Sequence, residues 1–299
     1  MSLLVNWLES MHGYAKVTNN CSRKKHLRST CRTCADACRY GALIITSTSI
    51  EIDLEKCNSC VDCIIACPLS AIEGVLETRK FDKGSLVYKE SYIPTVKELL
   101  IYKQRGLTAI KSGSTPLNQN WINVLYQANK ILQLFEESPI RILENRKEKG
   151  MSRRAFLTSL QKEGKQFAKT MAPAVWKLEA NEWNLSRYYP DYQFYQVELD
   201  LGQCTFCQLC FSFCTQKVFS LEAGFLRVAN EKCVNCFDCT DICTEDALHV
   251  NQKITKKQIQ QYPFMTKECE ICGKPFSTFH QEIDSCPICH DRNPEWLNP

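Results

Sequence analysis

Residues 57–68, CNSCVDCIIACP, place four cysteines at the spacing C-x2-C-x2-C-x3-C and follow the last with a proline. Complete runs of the same spacing stand at 204–214 (CTFCQLCFSFC) and, closing on Thr244 instead of proline, at 233–243 (CVNCFDCTDIC). A fourth run, from Cys31, reads only C-x2-C-x3-C, and Arg28 stands where its leading cysteine belongs. Secreted disulfide frameworks do not repeat one run in this way, so the thiols are read as metal ligands.

The runs form a duplication. Cys31, Cys34, Cys38, Cys57, Cys60, Cys63 and Cys67 map onto Cys207, Cys210, Cys214, Cys233, Cys236, Cys239 and Cys243 with one constant offset of 176 positions. Between the runs, ALIITSTSIEID and VFSLEAGFLRVA share one length, and their apolar–polar alternation about a small-residue turn predicts a hairpin in each copy. After the last cysteine of each run, RYGAL, PLSAI, TQKVF and TEDAL predict a short helical turn carrying one apolar residue.

Composition sets the outer bounds. Twenty cysteines against eleven glycines and five histidines in 299 residues is the dominant fact, and the length suffices for two or three small cores. No stretch approaches the roughly 18 consecutive apolar residues of a membrane span. MSLLVNWLES has no basic leader pattern, and Leu3, Leu4, Trp7, Leu8 and Met11 are consistent with a short docking helix. A reducing, cytoplasmic compartment is therefore expected. The formal charge of +4 counts every thiol as neutral; with all twenty as thiolates on four 2+ cores and one 2+ ion the balance becomes about −6. The basic excess thus gives no support for a nucleic-acid partner.

These runs resemble those of bacterial dicluster ferredoxins, whose pattern is C-x2-C-x2-C-x3-C-P. Only Cys67-Pro68 keeps the proline; Arg39, Thr215 and Thr244 replace it elsewhere. In that family the fourth cysteine of one run ligates the cluster of the other. The resemblance then implies one [4Fe-4S] cluster on Cys204, Cys207, Cys210 and Cys243, a second on Cys233, Cys236, Cys239 and Cys214, and a third on Cys57, Cys60, Cys63 and Cys38. A fourth has Cys31, Cys34 and Cys67. It is completed by Cys21, reaching in over a loop with Arg23, Lys24, Lys25, His26 and Arg28, or it is a three-iron or absent cluster. Positive charge beside such a cluster would raise its potential.

The expected architecture is α+β: dicluster ferredoxin domains over 1–74 and 196–255, a small α/β spacer over 75–150, a helical linker over 151–195 and a zinc ribbon or rubredoxin-like tail over 262–299. In the spacer SLVYKES, LTAIKSG and PIRILEN predict strands, while TVKELLIYKQRG and NQNWINVLYQANKILQLFEE predict helices, giving a parallel βαβαβ unit. It lacks G-x-G-x-x-G and P-loop patterns, and it faintly resembles an α/β domain of hydrogenase and disulfide-reductase delta subunits. KSGSTPLNQNW lies where α/β folds bind ligands, although an ordinary polar connection accounts for it. In the linker, SRRAFL resembles a twin-arginine export motif without the apolar region such a signal needs. Phe156, Leu157, Leu160, Phe167 and Met171 predict an amphipathic helix there.

The tail supplies Cys269, Cys272, Cys286 and Cys289 as C-x2-C-x13-C-x2-C, two knuckles that close four thiolates round one ion. Zinc is favoured, with iron as the alternative because of a likeness to short rubredoxins. His280 and His290 are expected to stay outside that shell.

Four low-potential clusters without a flavin, nucleotide or molybdopterin signature imply a polyferredoxin. Such a chain relays electrons to or from a redox enzyme or another electron-transfer protein in a hetero-oligomer and does no chemistry on a substrate. The resemblance extends to ferredoxin-like subunits of molybdenum formate dehydrogenases, nitrate reductases and hydrogenases. The alternatives are a cluster-bearing scaffold, maturation or sensor protein whose tail binds a partner, and an enzyme acting at an open iron of the Cys21 site.

Overall fold

The computed structural model describes residues 15–74, 79–113, 115–144 and 182–290. The expected docking helix at Leu3–Met11 and the amphipathic helix of the linker lie outside the described residues. The fold is α+β, with small sheets of two to four strands. The chain makes two units, one from Met1–Thr18, Thr33–Ile44 and Glu51–Tyr188, the other from Asn19–Arg32, Ile45–Ile50 and Tyr189–Pro299.

The duplication seen in the cysteines extends to the backbone. The two expected hairpins are Leu43–Ile45 with Ile50–Ile52, and Phe219–Glu222 with Phe225–Val228. Asp53 N–H donates to Ala42 O at 2.8 Å, and Ala229 N–H donates to Val218 O at 2.8 Å, at the offset of 176. The second hairpin turns on Ala223 and Gly224, both at positive φ, as a two-residue hairpin loop requires. An outer strand closes each copy: Lys16–Val17 pairs antiparallel with Ile72–Glu73, and Tyr192–Leu199 with Leu248–Lys256.

In the first unit the spacer is a four-stranded sheet in the order Phe81–Asp82, Ser85–Val87, Ala109–Gly113, Arg141–Glu144. The last three strands are parallel, as expected; the first is an antiparallel edge too short to show a period in sequence. Helix Val96–Gln104 starts with a capping box in which Thr95 and Glu98 satisfy each other's backbone N–H. Helix Gln119–Leu134 starts on Asn118, whose side chain accepts from Trp121 N–H. That cap uses part of the KSGSTPLNQNW stretch, in keeping with an ordinary connection. Leu99, Leu100, Ile101, Leu107, Ile110, Trp121, Leu132 and Ile140 are buried in the core between helices and sheet. After the linker, Trp183 packs edge-on against Tyr102, and Arg105 pairs with Glu182.

In the second unit Val197, Val218, Phe219, Leu226, Val228 and Leu248 form the core. Strand Gln260–Pro263 adds to the hairpin beside Phe225–Val228. Tyr262 and Pro263, assigned to the tail from sequence, pair here with Leu226 and Phe225 of the second hairpin. The tail itself is the hairpin Met265–Glu268 and Pro275–Thr278, followed by the helical turn Pro287–His290. Phe206, from the loop between Cys204 and Cys207, packs against Phe264 and Phe279, with ring centroids 5.0 and 4.8 Å apart.

Candidate metal centres

The cysteine loops are wound by residues in the left-handed region. Ser59 and Val61 flank Cys60, Asn235 and Phe237 flank Cys236, and Phe206 and Gln208 flank Cys207, all with φ between 54° and 69°. Non-glycine residues adopt this region at a cost, and alternation of right- and left-handed residues turns successive N–H groups into one concavity that suits anions such as thiolates. Thr30 and Arg32, which flank Cys31 at the matching positions, are not in that region. The first run therefore lacks the winding of the other three at the point where Arg28 replaces the leading cysteine.

Further N–H groups meet the sulfurs from the following turn. Ala42 N–H donates to Cys38 Sγ at 3.3 Å, Ala71 N–H to Cys67 Sγ at 3.2 Å and Val218 N–H to Cys214 Sγ at 3.4 Å. After these three runs the expected helical turns are tight turns in which the residue four beyond the cysteine bonds to sulfur.

Cysteines of the two runs interact within each copy. Cys38 acts electrostatically on Cys60 and Cys63, and Cys57 acts on Cys63. Cys214 acts likewise on Cys233, Cys236 and Cys239. Cys204, Cys207, Cys210 and Cys243 line one cavity of about 30 Å³ together with Phe206, Phe211 and Leu248. In each case one sulfur comes from the other run of its copy. Of the remaining four, Cys34 and Cys67 belong to the first unit and Cys21 and Cys31 to the second.

Burial raises these thiols well above their usual range. Cys63, Cys210 and Cys236 are pushed up to about 12 and Cys233 to about 11; burial is the largest cause, and neighbouring sulfurs add to it. Cys239 is raised further for the same reasons. A thiol in this setting keeps its proton unless a cation displaces it, so a metal or cluster bound here would release those protons.

Charged side chains stand close by. Asp62 and Asp238, each one residue before the third cysteine of its run, are buried, at 6% and 0% exposure. Arg39 Nε lies 3.2 Å from Asp62 Oδ2. Lys97 Nζ donates to Ile65 O at 2.7 Å; burial lowers its ammonium to about 8, while Cys67 acts in the opposite sense. Tyr92 Oη donates to Cys60 O, and the Arg79 guanidinium lies over the Tyr92 ring while bonding Glu98 through two nitrogens. Of these only Arg39 was noted from sequence, as the residue in place of proline. The aspartates were visible as CVDC and CFDC at the shared offset, but their partners come from distant segments.

The tail site is of another kind. The sulfurs of Cys269, Cys272, Cys286 and Cys289 all lie within 4.8 Å of one another, and Cys272 and Cys286 are 4.0 Å apart. A tetrahedral site with metal–sulfur bonds of about 2.3 Å has sulfur–sulfur edges of about 3.8 Å, so four thiolates here fit one ion. Among the described residues no other group of potential ligands is as compact. Backbone N–H groups of Cys286 and Cys272 point at Cys269 sulfur and lower its thiol to about 6, the Cys286 contact being 3.2 Å. Hydrogen bonding from Cys286 raises Cys289 to about 12. His290 Nδ1 lies 3.2 Å from Ser285 Oγ and His280 Nδ1 3.5 Å from Glu282, and neither belongs to the compact group.

Among the described residues no helix is long and apolar enough to cross a membrane. No protein-family profile matches the chain. A 43-residue stretch is 44% identical to one component of the ion-translocating oxidoreductase complex of Methanosarcina acetivorans, covering 14% of this chain and 16% of that protein. A 74-residue stretch is 30% identical to the putative oxidoreductase AegA of Escherichia coli, covering 23% of this chain and 11% of that one. The chain spans under a fifth of the length of either relative, so the likeness is one of segments. Twenty cysteines, one compact four-cysteine group and similarity to two proteins of oxidoreductase systems together agree with a metal- or iron–sulfur-binding protein of electron transfer.

Proposed function

We propose that this chain is a polyferredoxin-type electron-transfer protein with two dicluster ferredoxin-like domains and a zinc tail. The observations that support the reading are the electrostatic interaction of Cys38 with Cys60 and Cys63, that of Cys214 with Cys233, Cys236 and Cys239, and the cavity that Cys243 shares with Cys204, Cys207 and Cys210. Cys57, Cys60, Cys63 and Cys38 hold one [4Fe-4S] cluster; Cys204, Cys207, Cys210 and Cys243 a second; Cys233, Cys236, Cys239 and Cys214 a third. Such clusters, when bound, exchange single electrons with little rearrangement. The protein's own part is to bury the thiolates, aim backbone N–H groups at them and keep water away.

A fourth cluster is proposed on Cys31, Cys34, Cys67 and Cys21. Thr18 N–H donates to Ala71 O at 2.8 Å, three residues before Cys21, and Asp200 N–H donates to Ala247 O at 2.9 Å, four residues before Cys204. Ala71 and Ala247 correspond in the duplication, so Cys21 follows its outer strand nearly as Cys204 does. The difference between the copies is then an insertion after Cys21, at residues 22–30, and not a missing ligand. Cys269, Cys272, Cys286 and Cys289 hold one zinc, with a single iron as the alternative occupant.

The partner is a redox enzyme or another electron-transfer protein, in a complex of unlike subunits in a reducing compartment such as the cytoplasm. The similarity to a component of an ion-translocating oxidoreductase complex supports that assignment. Anaerobically purified protein titrated with dithionite and a low-potential dye tests it. Reversible bleaching by about four electrons per chain is expected; clusters that do not cycle would overturn the electron-transfer role.

A further inference from the structure

Asp62 and Asp238 correspond in the duplication, and the charge of each acts on the sulfur just before it, Cys60 and Cys236. A carboxylate buried beside thiolates requires a cation. In the first copy the cation is local: Arg39, the residue after Cys38, lies 3.2 Å from Asp62. The matching position of the second copy is Thr215, which carries no charge. There Lys25 takes its place, with Nζ 3.2 Å from Asp238 Oδ2 and its side chain 18% exposed.

Lys25 belongs to the insertion between Cys21 and Cys31, and several contacts seat that insertion on the run from Cys233 to Cys243. Ser22 Oγ donates to Cys236 O at 3.4 Å. Thr30 donates from both N–H and Oγ1 to Asp241 at 2.7 and 2.8 Å. The His26 ring packs edge-on to Phe213 at 5.2 Å, and its Nε2 stands 3.5 Å from Asp238 Oδ1 without hydrogen-bond geometry. His26 and Lys25 are thus two basic groups that face the buried carboxylate.

We propose that the insertion at residues 22–30 supplies, through Lys25, the counter-cation of the second copy, and that Lys25 is a positioning residue that raises the reduction potential of the group held by Cys233, Cys236, Cys239 and Cys214. This rests on the iron–sulfur reading above. With Lys25 in place, Asp238 is neutralised and an incoming electron meets less negative charge. Without it the carboxylate stands unpaired beside the thiolates and opposes reduction.

The test is a potentiometric titration of the full chain followed by electron paramagnetic resonance, in which dithionite gives one electron to each cluster and is oxidised to sulfite. In Lys25→Met one of the signals shifts to lower potential and the others stay; Lys25→Arg leaves all of them in place. Adding Thr215→Arg to Lys25→Met moves the shifted signal back, because the local cation of the first copy is rebuilt. Unchanged potentials in Lys25→Met at full iron content would overturn the proposal, as would a shift that Thr215→Arg leaves uncorrected. If Lys25→Met fails to retain iron, Lys25→Met/Asp238→Asn removes the unpaired charge and restores it; failure to restore also refutes the proposal. Absence of reversible iron–sulfur signals in the unsubstituted protein would instead refute the electron-transfer reading.

Discussion

Replacing Cys214 by serine asks which group the fourth sulfur of a run serves. Cys214 closes the run that begins at Cys204, yet its charge acts on Cys233, Cys236 and Cys239. Serine keeps the side-chain volume, and Val197, Val218, Phe219, Leu226, Val228 and Leu248 hold the core, so sheet pairing persists. The expected loss is one cluster, from about sixteen iron per chain to about twelve in the anaerobically reconstituted protein. The decisive quantity is the non-additivity of pairs. Cys214→Ser with Cys236→Ser removes the same cluster twice and stays at about twelve iron, whereas Cys214→Ser with Cys207→Ser removes two and falls to about eight. Iron and acid-labile sulfide measure both. The reverse pattern, with the Cys207 pair at twelve and the Cys236 pair at eight, would refute the crossed grouping.

Cys21→Ala and Cys34→Ala should each remove about four iron, and the pair no more than either alone; full iron in Cys21→Ala would mean that another group completes the first site. Cys286→Ser should release the tail metal, measured by a zinc chromophore and by iron analysis. Phe279→Ala removes a half-buried ring that packs on Phe206, so a loss of about 2 kcal/mol is expected in urea unfolding at unchanged slope, below the cost of a fully buried phenylalanine. Arg79→Met leaves the buried Glu98 uncompensated and should cost about 3–5 kcal/mol, most of it recovered by adding Glu98→Leu.

Most of the spacer was legible because its elements depend on short-range order. A C-x2-C-x2-C loop gathers its three sulfurs through its own backbone, and helices such as Val96–Gln104 declare themselves through period, cap and closing glycine. The edge strand Phe81–Asp82 and the pairing of Gln260–Pro263 with the second hairpin were not legible, since two to four residues carry no readable period and their partners lie far along the chain. Nor could the tail's contact with the preceding Cys204–Cys207 loop be read. It passes through Phe206, Phe264 and Phe279, three aromatics with nothing in their local pattern to join them.

By itself the amino-acid sequence determined the duplication and the paired C-x2-C spacing of the tail, because cysteine spacing is a local geometric constraint. Tertiary structure decided which charges stand against those thiols. Arg39 reaches Asp62 within its own copy, but Thr215 leaves Asp238 without a neighbour of that kind, and only folding brings Lys25 across 213 positions to meet it. A buried carboxylate must find a cation wherever the packed chain offers one, and chain separation does not limit where that is.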